Sequence, residues 1–261
     1  MQRIINYPGS KWSLSKEIIS FFPEHKSYLE PFAGSLAVFF QKEKDVLETI
    51  NDLDGRLINL YKQMREEPEE LARLISLTPY SREEYDLSCI QAENELEDAR
   101  RYMVRLWFGI GGKTAGKTGF RRNISWNGPY NTYDWRKIPQ RILEAADRLR
   151  DAQIEHKPAE KLIREMNDKD TLIYVDPPYL HETRTSRHYY HEMNRQDHID
   201  MIQALLDFKG PVILSGYESD VYNVILSDWH KVTFDSQVLS GKRKEEVLWM
   251  NFEPVGQMKL F

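Results

Sequence analysis

Cysteine is nearly absent from this chain of 261 residues: Cys89 stands alone. An internal disulfide framework is therefore excluded, and a reducing compartment is expected. Long apolar runs are missing as well, so no segment reads as a membrane span. The opening residues Met1 to Asn6 lack the pattern of a secretory leader, which points to a cytoplasmic protein. Excess positive charge is lacking too; the formal net charge is −5, so the chain is not globally basic. Repeats and low-complexity tracts are absent. Glycine is sparse where a dinucleotide fingerprint needs it: in Glu30-Pro-Phe-Ala-Gly34-Ser, only Gly34 of the G-x-G-x-x-G set is present.

What is present centres on Asp176-Pro177-Pro178-Tyr179. The preceding run, Thr171 to Val175, is apolar and β-rich and reads as a buried strand. An acidic residue at the carboxyl end of such a strand stands where open α/β sheets bind ligands. The two prolines fix φ and carry no N–H, so the carbonyls around them are rigid acceptors. One carboxylate, one fixed carbonyl and an aromatic face suit a planar exocyclic amine such as N6 of adenine. Two acceptors on its hydrogens favour a more tetrahedral nitrogen and free the lone pair for attack. Rigidity lowers the reorganisation needed at that moment. Tyr179 is expected to stack on the base. Taken alone, the four letters equally describe a strand ending in a Pro-Pro turn with an N-capping aspartate.

The chain divides into three zones. Residues 1–60 alternate helix and strand: a helix from Ser13 to Phe22, a strand Tyr28 to Glu30, a turn into a helix, a strand Val46 to Ile50, then a helical period from Gly55. Residues 62–99 carry a net charge of −7, and residues 100–141 a net of +9. The basic part runs from Phe108 to Trp126, a glycine-rich stretch expected to be a mobile cationic loop. From about 141 the alternation returns, with helices at Ile142–Ala152, Ala159–Glu165 and Asp197–Phe208. Strands are expected at Gln153–Glu155, Thr171–Val175 and Pro211–Ser215, and a closing pair at Trp229–Phe234 and Glu246–Phe252. Such alternation predicts an α/β protein with a largely parallel sheet and helices on both faces.

The Glu30–Gly34 loop follows a strand and opens a helix, which makes it a candidate cofactor loop. Asp52 ends the next strand, twenty-two residues beyond Glu30, where an acid can bind ribose hydroxyls. With one glycine, the loop suits the uncharged linker of S-adenosylmethionine better than a pyrophosphate.

Together these segments resemble the Dam-like DNA adenine-N6 methyltransferases, the D12 class with its recognition insert before the D-P-P-Y motif. Asn6-Tyr7-Pro8-Gly9-Ser10-Lys11 resembles the N-terminal motif in which the aromatic and the lysine contact the cofactor. Glu30-Pro31-Phe32-Ala33-Gly34 resembles the methionine-binding loop, and Asn51-Asp52-Leu53-Asp54 the ribose-binding strand end. The resemblance covers nearly the whole chain and implies a Rossmann-like class I methyltransferase with a seven-stranded, mostly parallel sheet. Residues 1–61 and 142–261 would form the catalytic domain, and 62–141 an inserted helical target-recognition domain. Tyr7, Lys11, Glu30, Phe32, Gly34, Asp52 and Asp176 would bind S-adenosylmethionine, and Asp176 to Tyr179 would act on an adenine flipped out of duplex DNA. The family commonly has a second glycine where Leu36 stands; tolerance is expected, with altered affinity. Glu155 has the wrong flanks for a cofactor contact and is left out of the site.

The resemblance also gives the basic segment a role. Arg121 and Arg122 are expected to read guanine edges and Lys113 and Lys117 to hold phosphates. Tyr190 matches a position near the target pocket, and Lys242, Arg243 and Lys244 are candidates for phosphate contact. His188 and His191 have ligand-like spacing but no cysteine or paired carboxylates beside them, so no metal is expected. The segment from His181 to Asn194 is expected to cover the base. Cytosine-N4 methylation, RNA adenine methylation and a catalytically silent DNA-binding relative are the alternatives. A cognate restriction endonuclease stays open as a partner.

Overall fold

The computed structural model describes residues 1–122, 131–180, 187–237 and 243–254. Seven strands form one sheet: β1 (Ser27–Glu30), β2 (Leu47–Asn51), β3 (Gln153–Glu155), β4 (Thr171–Val175), β5 (Val212–Gly216), β6 (His230–Gln237) and β7 (Arg243–Met250). Their spatial order is β3-β2-β1-β4-β5-β7-β6, with β7 antiparallel to both neighbours and every other pair parallel. This is the seven-stranded, mostly parallel sheet expected.

The sequence makes this sheet because its central strands are apolar without interruption. All five residues of β4 and of β5 are buried, as parallel strands covered on both faces require. Alternate side chains then feed two separate cores. Tyr28, Leu172, Tyr174, Ile213 and Leu248 enter one, while Leu29, Ile173, Val175, Leu214 and Val247 enter the other. The second core is closed by α9 (Ala159–Glu165), α10 (Arg195–Leu206) and α11 (Asp220–Ile225). The first is closed by α1 (Ser15–Ile19), α2 (Ala37–Gln41), α3 (Gly55–Glu66), α4 (Pro68–Leu77), α5 (Arg82–Ser88), α6 (Glu95–Phe108), α7 (Asn131–Trp135) and α8 (Ile138–Leu149).

Boundaries differ from expectation for local reasons. The first helix stops at Ile19, because Phe21 and Phe22 donate to carbonyls only three residues back before Pro23 ends the turn. Helix α8 starts earlier, at Ile138, since Pro139 falls in the first turn where its missing N–H is harmless. Helix α3 runs through residue 62, and its Arg56 forms a two-pronged bond with Asp98 of α6, at 3.0 and 2.8 Å. Trp107 of α6 donates to the Ile4 carbonyl at 2.8 Å. The acidic and basic halves of 62–141 are thus packed against the helices that cover the sheet.

The chain reverses its winding at β1: β2 lies on one side and β4 on the other. The crevice between β1 and β4 is the position where such sheets take ligands.

Candidate active site

Glu30 ends β1, Asp52 lies just beyond β2, and Asp176 follows β4, so one crevice receives three carboxylates. They line a cavity of about 260 Å³ together with Tyr7, Lys11, Phe32 and Gly34. Every cofactor residue expected from the sequence is brought to this one cavity.

Its outer half is made of carboxylates fixed by backbone. Glu30 is buried, and its Oε2 accepts from the Tyr28 hydroxyl at 2.7 Å and the Phe39 N–H at 3.2 Å. Burial pushes its pKa up to about 8, against the pull of Tyr28. Asp52 accepts from the Gly34 N–H at 3.0 Å and the Asp54 N–H at 2.9 Å. Burial pushes it up to about 6. Asp54 in turn caps α3 through the Arg56 and Leu57 amides and accepts from the Tyr102 hydroxyl. Gly34 has φ of +45°, a left-handed conformation that favours glycine, while a Cβ there would meet the Tyr7 ring at an ordinary contact distance of 3.4 Å. Two residues on, Leu36 sits fully buried at φ +52°, ψ +34°. The backbone at that point of the turn is left-handed, and leucine there bears a strain of roughly 1–2 kcal/mol.

The inner half is a charge cluster. The Lys11 ammonium donates to Asp176 Oδ1 and Oδ2 at 2.9 and 3.0 Å and to the Gly9 carbonyl at 2.8 Å. Glu246 Oε1 lies 3.4 Å from the same nitrogen. The Tyr179 hydroxyl contacts Asp176 Oδ1 at 3.1 Å, Ser215 Oγ at 3.1 Å, and Glu246 Oε1. Burial lowers the Lys11 pKa, but Asp176 and Glu246 outweigh it and hold the ammonium above its ordinary value. Burial raises Asp176, with Lys11 opposing and Glu246 reinforcing.

Two expectations take a different form here. Lys11 lines the cavity, yet its ammonium is bonded to the aspartate. Tyr179 is only 8% exposed, its ring meets Tyr217 edge-on at 4.6 Å, and its hydroxyl points into the carboxylate cluster. Pro177 is buried and Pro178 lines the cavity. The sequence reading missed Glu246 and Ser215. An acid opening the buried run Glu246 to Met250 was the available signal, because a carboxylate is seldom buried in a strand without a partner.

The described part of the basic segment, which ends at Arg122, is hydrogen-bonded to its surroundings. Gly109 bridges Phe120, the Arg121 N–H donates to the Phe108 carbonyl at 2.6 Å, and the Tyr85 hydroxyl holds Thr118. Arg121 is half-buried and Arg122 exposed, Lys113 is half-buried, and Lys117 pairs with Asp86 at 2.7 Å. Thr114, buried, joins this segment to the one over the cavity: its N–H donates to the His188 carbonyl and its hydroxyl accepts from the Tyr190 N–H, both at 2.9 Å. The Tyr190 ring is exposed, and Tyr189 reaches the Pro8 carbonyl at 3.1 Å. His181, Trp126 and Lys242 lie outside the described residues, as do the side chains of Arg243 and Lys244. Among the described residues, no three His, Cys, Asp or Glu side chains gather in a metal-binding group, and no helix is long and apolar enough to cross a membrane.

Comparison with known proteins bears on this geometry. Residues 7–244 match the model of a family described as D12 class N6 adenine-specific DNA methyltransferase. The Type II methyltransferase M1.LlaDCHI of Lactococcus lactis subsp. cremoris is 33% identical over 254 residues, covering 87% of this chain and 85% of the relative. A DNA adenine methylase of Vibrio cholerae is 27% identical, covering 67% and 64%. The Retron Ec67 DNA adenine methylase of Escherichia coli is 23% identical, covering 97% and 95%.

Proposed function

Since the chain belongs to the D12 class of N6 adenine-specific DNA methyltransferases and methylates adenine in DNA at the expense of S-adenosylmethionine, we propose how its own residues divide the work. The substrate is an adenine flipped out of duplex DNA into the crevice between β1 and β4. Residues 62–141 recognise the target, with Arg121 and Arg122 on base edges, Lys113 and Lys117 on phosphates and Tyr190 beside the extruded base. The reaction takes place in the cytoplasm. A cognate restriction endonuclease belongs to this reading, supported by the relative named as a Type II methyltransferase.

The observation that carries the assignment is the single cavity joining Glu30 and Asp52 to Asp176. The cofactor fits its donor set. Asp52 offers acceptors for hydroxyls, Glu30 and the Gly34 turn accommodate the amino-acid tail, and Phe32 and Tyr7 supply apolar faces. When bound, S-adenosylmethionine supplies an electrophilic methyl group on a sulfonium. Asp176 and the Pro177 carbonyl accept the two N6 hydrogens and turn the lone pair outward. Bound there, the cofactor would supply its sulfonium methyl to N6 and leave as the neutral thioether, while Asp176 would take the proton that N6 releases and pass it on to water. Tyr179 orients the aspartate through its hydroxyl.

The test is transfer of radiolabelled methyl to unmethylated genomic DNA, with Asp176→Ala alongside and the product hydrolysed to nucleosides. Label in N6-methyladenine that disappears in the variant is expected. Label in N4-methylcytosine, or transfer to RNA alone, would overturn the adenine-in-duplex assignment.

A further inference from the structure

The catalytic aspartate is not alone. Glu246, 4% exposed on β7, faces it across the Lys11 ammonium, and two carboxylates therefore share one cation. Lys11 is itself 5% exposed, and its three bonds of 2.8–3.0 Å go to Gly9 and to both oxygens of Asp176. An amine arriving at Asp176 adds a donor to a carboxylate whose Oδ1 already accepts from Lys11 and Tyr179 and whose Oδ2 accepts from Lys11. A buried ammonium that loses an acceptor without a replacement is strongly disfavoured.

We propose that Glu246 is a positioning residue: its Oε1 receives the Lys11 ammonium when the target amine displaces it from one oxygen of Asp176. The inference rests on the reading of Asp176 as the acceptor of the adenine amine. Three observations carry it. Oε1 already lies 3.4 Å from the ammonium, so a shift of well under an ångström completes a bond. The same oxygen is fixed by Ser215 Oγ at 2.9 Å and by the Tyr179 hydroxyl, and so stays in place while the lysine moves. Glu246 does not line the cavity, so it acts on the substrate only through Lys11 and Tyr179. The lysine remains paired throughout, and the Asp176 oxygen that it leaves faces the amine without a competing cation.

The experiment is single-turnover methyl transfer to unmethylated DNA by the wild type, Glu246→Gln, Lys11→Met and the double variant, with cofactor affinity measured for each. Glutamine keeps the shape and the hydrogen bonds but removes the charge. Glu246→Gln is expected to slow transfer about 100-fold, the scale of a misplaced reacting group, with cofactor affinity unchanged. In the Lys11→Met background the same substitution is expected to add no further loss. A wild-type rate in Glu246→Gln, an equal loss in both backgrounds, or a loss confined to cofactor affinity overturns the proposal. Should the glutamine variant fail to fold, the wild type crystallised with sinefungin and target DNA decides it. Lys11 bonded to Glu246 at ~2.9 Å and to one Asp176 oxygen supports the proposal; Lys11 still on both oxygens refutes it. An inactive wild type would sink the function reading and this inference together, whereas an active wild type with an unimpaired Glu246→Gln sinks this inference alone.

Discussion

The two halves of the cavity are both acidic, but they handle charge in opposite ways. Glu30 and Asp52 are held by neutral donors, a phenol and backbone amides, with no ammonium or guanidinium bonded to either among the described residues. Asp176 and Glu246 hold Lys11 between them. The difference follows from what each half must meet. On the proposed function, the first would receive a cationic cofactor with hydroxyls and an amino group, so its carboxylates are left for the ligand to neutralise. The second would receive a neutral aryl amine that offers no charge, so it carries its own cation. The physical lesson is that burial raises an acid's pKa where the compensating group is a ligand, and that a resident lysine restrains that rise where it is not.

The strongest way to break the comparison is Asp176→Asn. The substitution keeps size but leaves the Lys11 ammonium without its main partner and removes the charge that draws on N6. Transfer is expected to fall on the order of 10³-fold, the upper end for a single electrostatic contact, while cofactor binding persists. Single-turnover rates and a cofactor titration together check this, and equal loss of both would mean that Asp176 belongs to the outer half. Asp52→Asn is expected to do the reverse. It weakens cofactor binding by about tenfold, the worth of one charge-assisted hydrogen bond, with little change in rate at saturation.

Acidity sharpens the contrast. With its pKa near 6, Asp52 begins to protonate just below neutrality, so cofactor affinity should decline as pH drops below about 6 and Asp52→Asn should remove the dependence. Stability runs the other way. A carboxyl raised on folding binds its proton more tightly in the native state, so its contribution is full below the unfolded value and is lost as pH rises through the folded one. For Glu30 that window runs from the ordinary carboxyl value of 4.5 to about 8. The cofactor-free protein should therefore melt lower as pH climbs across it, and Glu30→Gln should flatten the slope. A melting temperature that rises through the same window would contradict the burial argument.

How much of this was readable beforehand depends on where each partner lies in the sequence. The ends of β1, β2 and β4 were legible because a strand followed by a turn fixes the direction of the next side chain, so Glu30, Asp52 and Asp176 fell together on the parallel topology alone. Leu36 was noticed as a missing glycine but given a ligand-side explanation; its left-handed backbone shows that the constraint is conformational. Glu246 was not legible. Its contact with Tyr179 spans 67 residues and depends on β7 inserting antiparallel between β5 and β6, a register that no local pattern specifies. The Lys11–Asp176 pair, 165 residues apart, was hidden for the same reason. The ring contacts that Phe108 and Phe120 make with Tyr80 and with each other were not legible either, since Tyr80 lies well before them in the chain.

The smallest effect expected separates the cations of that segment from one another. Lys117 is largely exposed and already paired with Asp86, whose carboxylate holds its pKa above the ordinary value. Reaching a phosphate requires breaking that pair, and surface pairs of this kind are worth at most about 1 kcal/mol. Lys117→Ala should therefore weaken DNA binding only slightly and reduce the slope of log affinity against log salt by less than the full unit, about 0.9, that one phosphate contact contributes. Asp86→Ala should do the opposite, because it frees the ammonium for the DNA and removes a repelling charge. Binding isotherms at several salt concentrations check both signs. If Asp86→Ala leaves affinity and slope unchanged, Lys117 faces away from the DNA and the pair belongs to the surface of α5 alone.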